Sequence, residues 1–265
     1  MGFFNRNFDR PGPGVAKDAP RKTGAARFFE VLGRDWGSFF KASLLCLLGY
    51  IPWTLLVGIG VLGQNLLFTL AGGLVGGVIA GPALAGMHDT VLRSLRDEPG
   101  YWWHVYKRAF KNNWRASMAP GALLGVLTAG QLFMFWCLIM GLISLDLVAS
   151  ALMALNLLLT GMCLPFVFGQ LVLMDIGFIP LLKNSLFLAL SNALWALLMA
   201  VVQIVYWLAM LLMFPVSVLA LVLLGFVPVT VFCQQIAYRI MDKVFGLEEK
   251  FRKRREAELE EEPQE

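Results

Sequence analysis

The chain has 265 residues, of which 58% are hydrophobic and 15% are charged, and its mean hydropathy is +0.69. Soluble globular domains average about 45–50% apolar and about 25% charged residues, so this composition excludes an ordinary soluble domain. The formal net charge is +4, and the 22 basic residues are segregated along the chain. The composition therefore predicts a protein of the lipid bilayer.

The first 41 residues form a polar region, 1–41, that precedes the apolar blocks. Residues 1–22 contain three prolines and three glycines, which predict an extended arm. Beyond this arm, large apolar side chains recur at every fourth position, the spacing of one helix face. They are Phe28, Leu32, Trp36 and Phe40. We therefore predict a cytoplasmic N-terminal arm followed by an interfacial helix.

Long blocks almost without charge predict the membrane spans. Residues 116–174 contain Asp146 as the single charged residue, and residues 184–238 contain none. Because a span needs roughly 20 residues to cross a hydrocarbon core about 30 Å thick, each block predicts two spans. Two more spans precede residue 93. Together they form a transmembrane domain over 42–235, with spans at about 42–62, 66–88, 117–142, 147–174, 186–209 and 212–235.

The basic residues predict the orientation of these spans. All 22 lysines and arginines lie in segments that six spans place on one side of the membrane, and Lys and Arg are enriched on the cytoplasmic side. These segments are 1–41, 93–115, Lys183 and 239–255. We therefore predict an all-α, multi-pass cell-membrane protein whose six transmembrane helices form three hairpins. Amphipathic cytoplasmic surface helices join them, and both termini are cytoplasmic.

The connector over 93–115 and the tail over 236–265 carry much of the charge. In the connector, Lys107, Lys111 and Arg115 recur at i, i+4 spacing, and aromatic residues line another side. This pattern predicts a cytoplasmic surface helix at headgroup depth. The alternative of nucleic-acid binding is disfavoured beside membrane spans. The tail predicts a charged, solvated cytoplasmic helix, with partner docking as the alternative.

A weak internal repeat relates the three predicted hairpins. Lys41, Lys111 and Lys183 lie in similar short segments before the odd-numbered spans. The even-numbered spans share a proline that is followed by an aspartate. These pairs are Pro82 and Asp89, Pro165 and Asp175, and Pro228 and Asp242. The pattern favours three hairpins in one orientation, and parallel repeats occur in several transporter folds.

A ridge of small residues runs along the second predicted span at every fourth position. It consists of Gly73, Gly77, Gly81 and Ala85. Small residues let helix backbones approach closely in lipid, so the ridge predicts helix packing. A phosphate-binding loop is the alternative, but no Gly-Lys-Ser or Gly-Lys-Thr follows the glycines.

Ionisable residues near the predicted inner boundary are the candidates for contact with a ligand or partner. They are His88, Asp89, Lys111, Asp175 and Lys183. Ionisable groups at membrane depth are commonly functional. The alternative is that these groups form helix-end ion pairs at the water boundary. Deeper polar residues predict hydrogen bonds between helices, with a solute pathway as the alternative.

Enzyme motifs are missing from the sequence. His88 and His104 are its two histidines, and neither an HExxH motif nor a GxSxG nucleophile elbow is present. The four cysteines lie in apolar blocks without paired spacing, as expected of small buried side chains. We therefore predict no catalytic residue, no metal site, no cofactor and no enzymatic activity.

Three stretches of the sequence together resemble a known family. They are PGPGVAKDAPRKTGAARFFEVLGRDWGSFFK, GPALAGMHDTVLRSLRDEPGYWWHVYKRAFKNNW and LLKNSLFLAL. In this order they resemble the YesL-like family of bacterial integral membrane proteins, a domain of unknown function. Family members often lie beside genes for carbohydrate importers of the ATP-binding cassette type and for sugar-sensing regulators. The resemblance therefore implies an accessory role in sugar uptake.

Two hypotheses for the function follow. The first is a non-enzymatic accessory or regulatory component associated with carbohydrate uptake. Its expected partners are the lipid bilayer, membrane subunits of an ATP-binding cassette sugar importer and other copies of the chain as a homo-oligomer. Nucleic acid is not an expected partner. The alternative is a small-solute channel or transporter formed by the hairpin bundle.

Overall fold

The computed structural model describes residues 21–98, 100–144 and 146–253, and within them every regular element is an α-helix. The predicted all-α class is confirmed. The helices are α1 (Gly24–Arg34), α2 (Trp36–Leu62), α3 (Leu66–Leu95), α4 (Trp102–Ile139), α5 (Leu147–Leu173), α6 (Phe178–Ser191), α7 (Ala193–Leu212), α8 (Ser217–Leu223) and α9 (Val227–Phe245). A C-terminal helical segment follows at 247–253.

Five of these helices are long and apolar enough to cross a membrane: α2, α3, α4, α5 and α7. A sixth span is obtained when α8 and α9 are taken together, although these two helices are bent by 55° at their junction. These apolar helices indicate a membrane protein. We define the basic end of the bundle as the end at which α2 and α4 begin and at which α3 stops. The ion pairs of Asp89, Asp97 and Glu248 lie there.

The connector predicted over 93–115 is divided between two long helices. Its first residues belong to α3, which continues to Leu95, and the part from Trp102 onwards is continuous with the third predicted span as the 38-residue helix α4. At 1.5 Å per residue such a helix is about 57 Å long, nearly twice the thickness of a hydrocarbon core. The charged first half of α4 therefore lies outside that core.

The predicted fifth and sixth spans are each interrupted. Asn192 separates α6 from α7, and Gly225, with a φ of +54°, lies between α8 and α9. The second interruption is held by other helices, because the Phe226 amide donates to Ser43 Oγ and the Tyr206 hydroxyl donates to the Gly225 carbonyl. Pro228 then lies in the first turn of α9, where a missing amide hydrogen costs little. The repeat therefore does not extend to this proline, since Pro82 and Pro165 lie inside helices.

The glycine ridge of α3 lies directly against α4. A Cβ atom built on Gly77 would lie 2.3 Å from the Gly121 carbonyl oxygen, and one on Gly81 would lie equally close to the Ser117 carbonyl oxygen. From the other side, a Cβ on Gly125 would lie 2.2 Å from the Gly73 carbonyl oxygen. The two backbones are therefore in contact, which maximises packing where lipid removes the hydrophobic drive for helix association.

A second face of α3, about 100° around the helix from the ridge, packs against α2 in the same way. A Cβ on Gly76 would lie 2.3 Å from Trp53 Cα, and Gly72 lies similarly against the backbone of Leu56. The Trp53 indole then reaches past α3 and donates to the Gly125 carbonyl over 3.1 Å. Helices α2, α3 and α4 consequently form one tightly packed unit.

At the end of the bundle opposite the basic end, the one charged residue that the structure describes caps a helix. Asp146 precedes α5, and its Oδ1 accepts a 2.7 Å hydrogen bond from the Ala149 amide. Asn65 caps α3 in the same manner through the Phe68 amide. Both side chains satisfy amides that a helix leaves unpaired at its start.

Candidate functional site

The five residues predicted as contact candidates are divided between the interior and the surface. His88 and Asp89 are buried near the end of α3. Lys111, Asp175 and Lys183 are exposed, and none of them takes part in an ion pair between described residues. The structure therefore does not gather the five side chains into one site.

His88 belongs to a buried polar cluster that joins α3, α5 and α9. The Gln234 side-chain nitrogen lies 2.7 Å from His88 Nδ1 and 2.8 Å from the Pro165 carbonyl oxygen. Since a carbonyl only accepts, the atom facing it is the amide nitrogen, and His88 Nδ1 accepts the second hydrogen bond. His88 is thereby neutral with its proton on Nε2, and its ring stacks on Phe168 at 5.1 Å.

Two glutamine carbonyl groups in this interior have no partner among the described residues. Gln170 donates to Ser185 Oγ over 3.0 Å and Gln234 donates as above, yet both Oε1 atoms are buried and unpaired. The Gln234 Oε1 lies over Gly169, where a Cβ would be 3.1 Å away. Unpaired buried acceptors are costly, so the cluster favours a hydrogen-bond donor at these oxygens.

Asp89 is occupied by an ion pair. Its Oδ2 accepts a 2.9 Å hydrogen bond from Arg93 Nε, one helical turn away. Arg93 and Arg96 both pair with Glu98 at 3.1 Å. These contacts fix the end of α3, so the observed role of Asp89 is structural.

Asp97 is the centre of a second ion-pair network that the sequence did not suggest. Its carboxylate accepts hydrogen bonds from Arg27 at 2.7 Å and Arg34 at 2.5 Å, and Arg21 lies 3.0 Å away. Arg27 is buried and also donates to the Leu95 carbonyl. The network ties α1 to the loop that follows α3.

The pKa of Asp97 is lowered by this environment. Burial alone would raise the pKa, but the hydrogen bonds and charges of Arg27 and Arg34 favour the carboxylate and prevail. Asp97 also has a φ of +58°, a left-handed conformation that aspartate and asparagine tolerate better than most residues. The loop therefore depends on this residue for both its charge and its backbone.

The C-terminal helical segment joins the same end of the bundle. Glu248 accepts hydrogen bonds from Arg21 at 2.7 Å and from the Tyr238 hydroxyl at 2.9 Å. Arg96 lies over the Phe251 ring, 4.3 Å from its centroid. We call residues 21–34, 96–98 and 247–253 the platform, because the contacts of Asp97, Glu248 and Arg96 hold these three segments together.

Among the described residues, no group of three or more His, Cys, Asp and Glu side chains is placed to hold a metal ion. The prediction of no cofactor is not tested by this observation. The chemistry that the arrangement offers is hydrogen bonding in the interior and charge pairing on the platform.

A side-chain hydrogen bond from α7 compensates for a proline in α5. Pro165 has no amide hydrogen, so the Gly161 carbonyl lacks its helical partner, and the Gln203 side chain of α7 donates to that carbonyl over 2.7 Å. We expect Gln203→Leu to lower the free energy of unfolding by about 1 kcal/mol. Pro165→Ala returns the helical donor, so the same substitution should cost less in that background. A double-mutant cycle of unfolding in detergent measures this coupling, and a coupling of zero would contradict the assignment.

The comparisons with known proteins identify one region. Residues 61–147 match the family described as "Protein of unknown function, DUF624". The match contains the whole of α3 and α4, and so the paired glycine ridges. No curated protein and no solved structure matches the chain.

Proposed function

We propose that the protein is a non-enzymatic accessory or regulatory subunit of the bacterial cell membrane, associated with carbohydrate uptake. Its platform lies in the cytoplasm and docks onto membrane subunits of an ATP-binding cassette sugar importer. The assignment to sugar uptake follows from the resemblance to the YesL-like family. The cytoplasmic orientation follows from the segregation of basic residues.

The observation that supports this proposal is that ion pairs hold the platform in one defined arrangement. Three segments distant in sequence are joined through Asp97 and Glu248 into one surface. Fixing a residue costs about 1–2 kcal/mol of backbone entropy, so loops that only connect spans do not need such a network. A preformed surface lowers the entropy that a partner must offset on binding. Phe29, 68% exposed on α1, offers an apolar contact on the platform.

Cross-linking in intact membranes tests the proposal. The full-length chain, expressed in its bacterial host, is cross-linked and purified, and captured proteins are identified by mass spectrometry. Importer membrane subunits should be recovered with the wild type and reduced about tenfold by Phe29→Ser, corresponding to a loss of about 1.4 kcal/mol of docking energy. Leu147→Ser, at an exposed apolar position on the opposite end, is the control. Recovery of no importer subunit with the wild type would contradict the proposal.

A small-solute channel or transporter is the second candidate. It is favoured by the interrupted pair α8 and α9, which places Gln234 and its unpaired carbonyl in the interior, because transporter sites commonly lie beside broken helices. Reconstituted protein should then carry sugars, ions or osmolytes across vesicle membranes, and Gln234→Leu should reduce that flux. Flux equal to that of protein-free vesicles would exclude this candidate.

A further inference from the structure

The first turns of α4 present three distinct faces around the helix. At about 100° per residue, Trp102, Tyr106 and Ala109 point into the bundle, and all three are at least partly buried. Exposed aromatic residues come next around the helix, and exposed basic residues follow them. The aromatic stripe is Trp103, Phe110 and Trp114. The basic stripe is Lys107, Arg108, Lys111 and Arg115.

The charge of the basic stripe is not balanced by the protein. No acidic residue occurs between Tyr101 and Ser117. None of the ion pairs between described residues includes Lys107, Lys111 or Arg115. Arg21, Arg27 and Arg34 differ, because each of them pairs with Asp97 at the same end of the bundle. The stripe is therefore available to an external anion.

The position of this surface along the chain identifies the anion. The same helix continues without interruption into the apolar segment after residue 116, so Arg115 lies where the hydrocarbon core ends. Trp114 lies next to Arg115 at this boundary, the depth at which Trp and Tyr side chains are enriched in membrane proteins. Lys41 of α2 adds another cation beside this surface, 5.5 Å from the Trp102 ring centroid.

We propose that this surface of α4, comprising Lys107, Phe110, Lys111, Trp114 and Arg115, binds the phosphate groups of anionic phospholipids. The rings of Phe110 and Trp114, within two helical turns of Arg115, lie among the glycerol and acyl carbonyl groups, and the cations face the phosphates. An acidic protein would need the basic stripe alone. The aromatic stripe between it and the bundle favours lipid. This inference concerns α4 and is independent of partner docking at the platform.

Lipid selectivity of the full-length protein tests the proposal. The protein is reconstituted in phosphatidylcholine vesicles, and electron paramagnetic resonance measures the association of spin-labelled phosphatidylglycerol relative to spin-labelled phosphatidylcholine. We expect the wild type to prefer phosphatidylglycerol, and the preference to weaken with added salt. In the triple variant K107Q/K111Q/R115Q, the association of phosphatidylglycerol relative to phosphatidylcholine should fall about fivefold or more.

A second triple variant, K243Q/K250Q/K253Q, removes equal charge from exposed positions of α9 and the C-terminal segment and should keep the preference. Equal association of both lipids with the wild type would overturn the proposal. An equal loss in the two triple variants would also overturn it, because net charge rather than this surface would then be responsible. A preference that survives K107Q/K111Q/R115Q would overturn it as well, and would favour an acidic protein partner for the basic stripe.

Discussion

Replacing Gly125 by alanine is expected to lower the free energy of unfolding by about 3 kcal/mol. The new methyl group would lie 2.2 Å from the Gly73 carbonyl oxygen and 2.8 Å from Gly77 Cα. Both atoms belong to the backbone of α3, so no side-chain rotation relieves the overlap. The two helices must separate, and the close packing that replaces the hydrophobic effect in lipid is then lost along the ridge.

Gly130 provides a matched control in the same helix. A Cβ at this position meets only the end of the Leu70 side chain, at 3.6 Å, which is an ordinary contact. Gly130→Ala should therefore leave stability unchanged or raise it by up to about 1 kcal/mol through helix propensity. Unfolding of the two purified variants in the same detergent measures the difference. Equal stability of Gly125→Ala and Gly130→Ala would show that the interface is not as close as the structure indicates.

The complementary ridge on α4 could have been predicted from the sequence. Ser117, Gly121, Gly125 and Ala129 recur at every fourth position, as do the residues of the α3 ridge. The pattern alone gives two small-residue faces without saying that they meet. The contact itself follows from the short connection between α3 and α4, which makes the two helices antiparallel neighbours.

The helix interruptions could not be predicted from hydropathy, and proline alone does not mark them, since Pro82 and Pro165 lie inside helices. The blocks that became α6 to α9 are almost uniformly apolar, and uniform hydropathy carries no signal for a break within a span. The junction at Gly225 is held by Ser43 of α2 and Tyr206 of α7. The Ser43 contact joins residues 183 positions apart, so only the tertiary structure specifies it.

The sequence indicated one residue of the buried polar cluster but gave no sign of its partner or of the Asp97 network. His88 was identifiable because an ionisable group beside an apolar span is unusual. Its partner Gln234 lies 146 positions away among other neutral residues. Asp97 resembled any charged residue of a connector. Its importance comes from the packing of residues 21–34 against the loop after α3, which places three arginines around one carboxylate.

Asp97→Asn is expected to lower the free energy of unfolding by about 2 kcal/mol at neutral pH. Asparagine retains the shape of the side chain and tolerates the φ of +58°, so the substitution removes the charge and little else. Arg27, whose side chain is 7% exposed, then keeps a buried charge with weaker compensation. The value is below that of a fully buried pair because Asp97 remains about one-third exposed to water.

The pH dependence of this difference provides the decisive measurement. Asp97 has a lowered pKa in the folded protein, whereas the pKa of an unfolded aspartate is about 3.9. Its stabilisation is therefore complete above the unfolded pKa and is lost as the pH falls through the folded pKa. We expect the stability gap between the wild type and Asp97→Asn to be constant from neutral pH to about pH 5 and to close below about pH 4. A gap that stays constant in acid would assign the effect to hydrogen-bond geometry. The α1 connection would then not depend on the charge of Asp97.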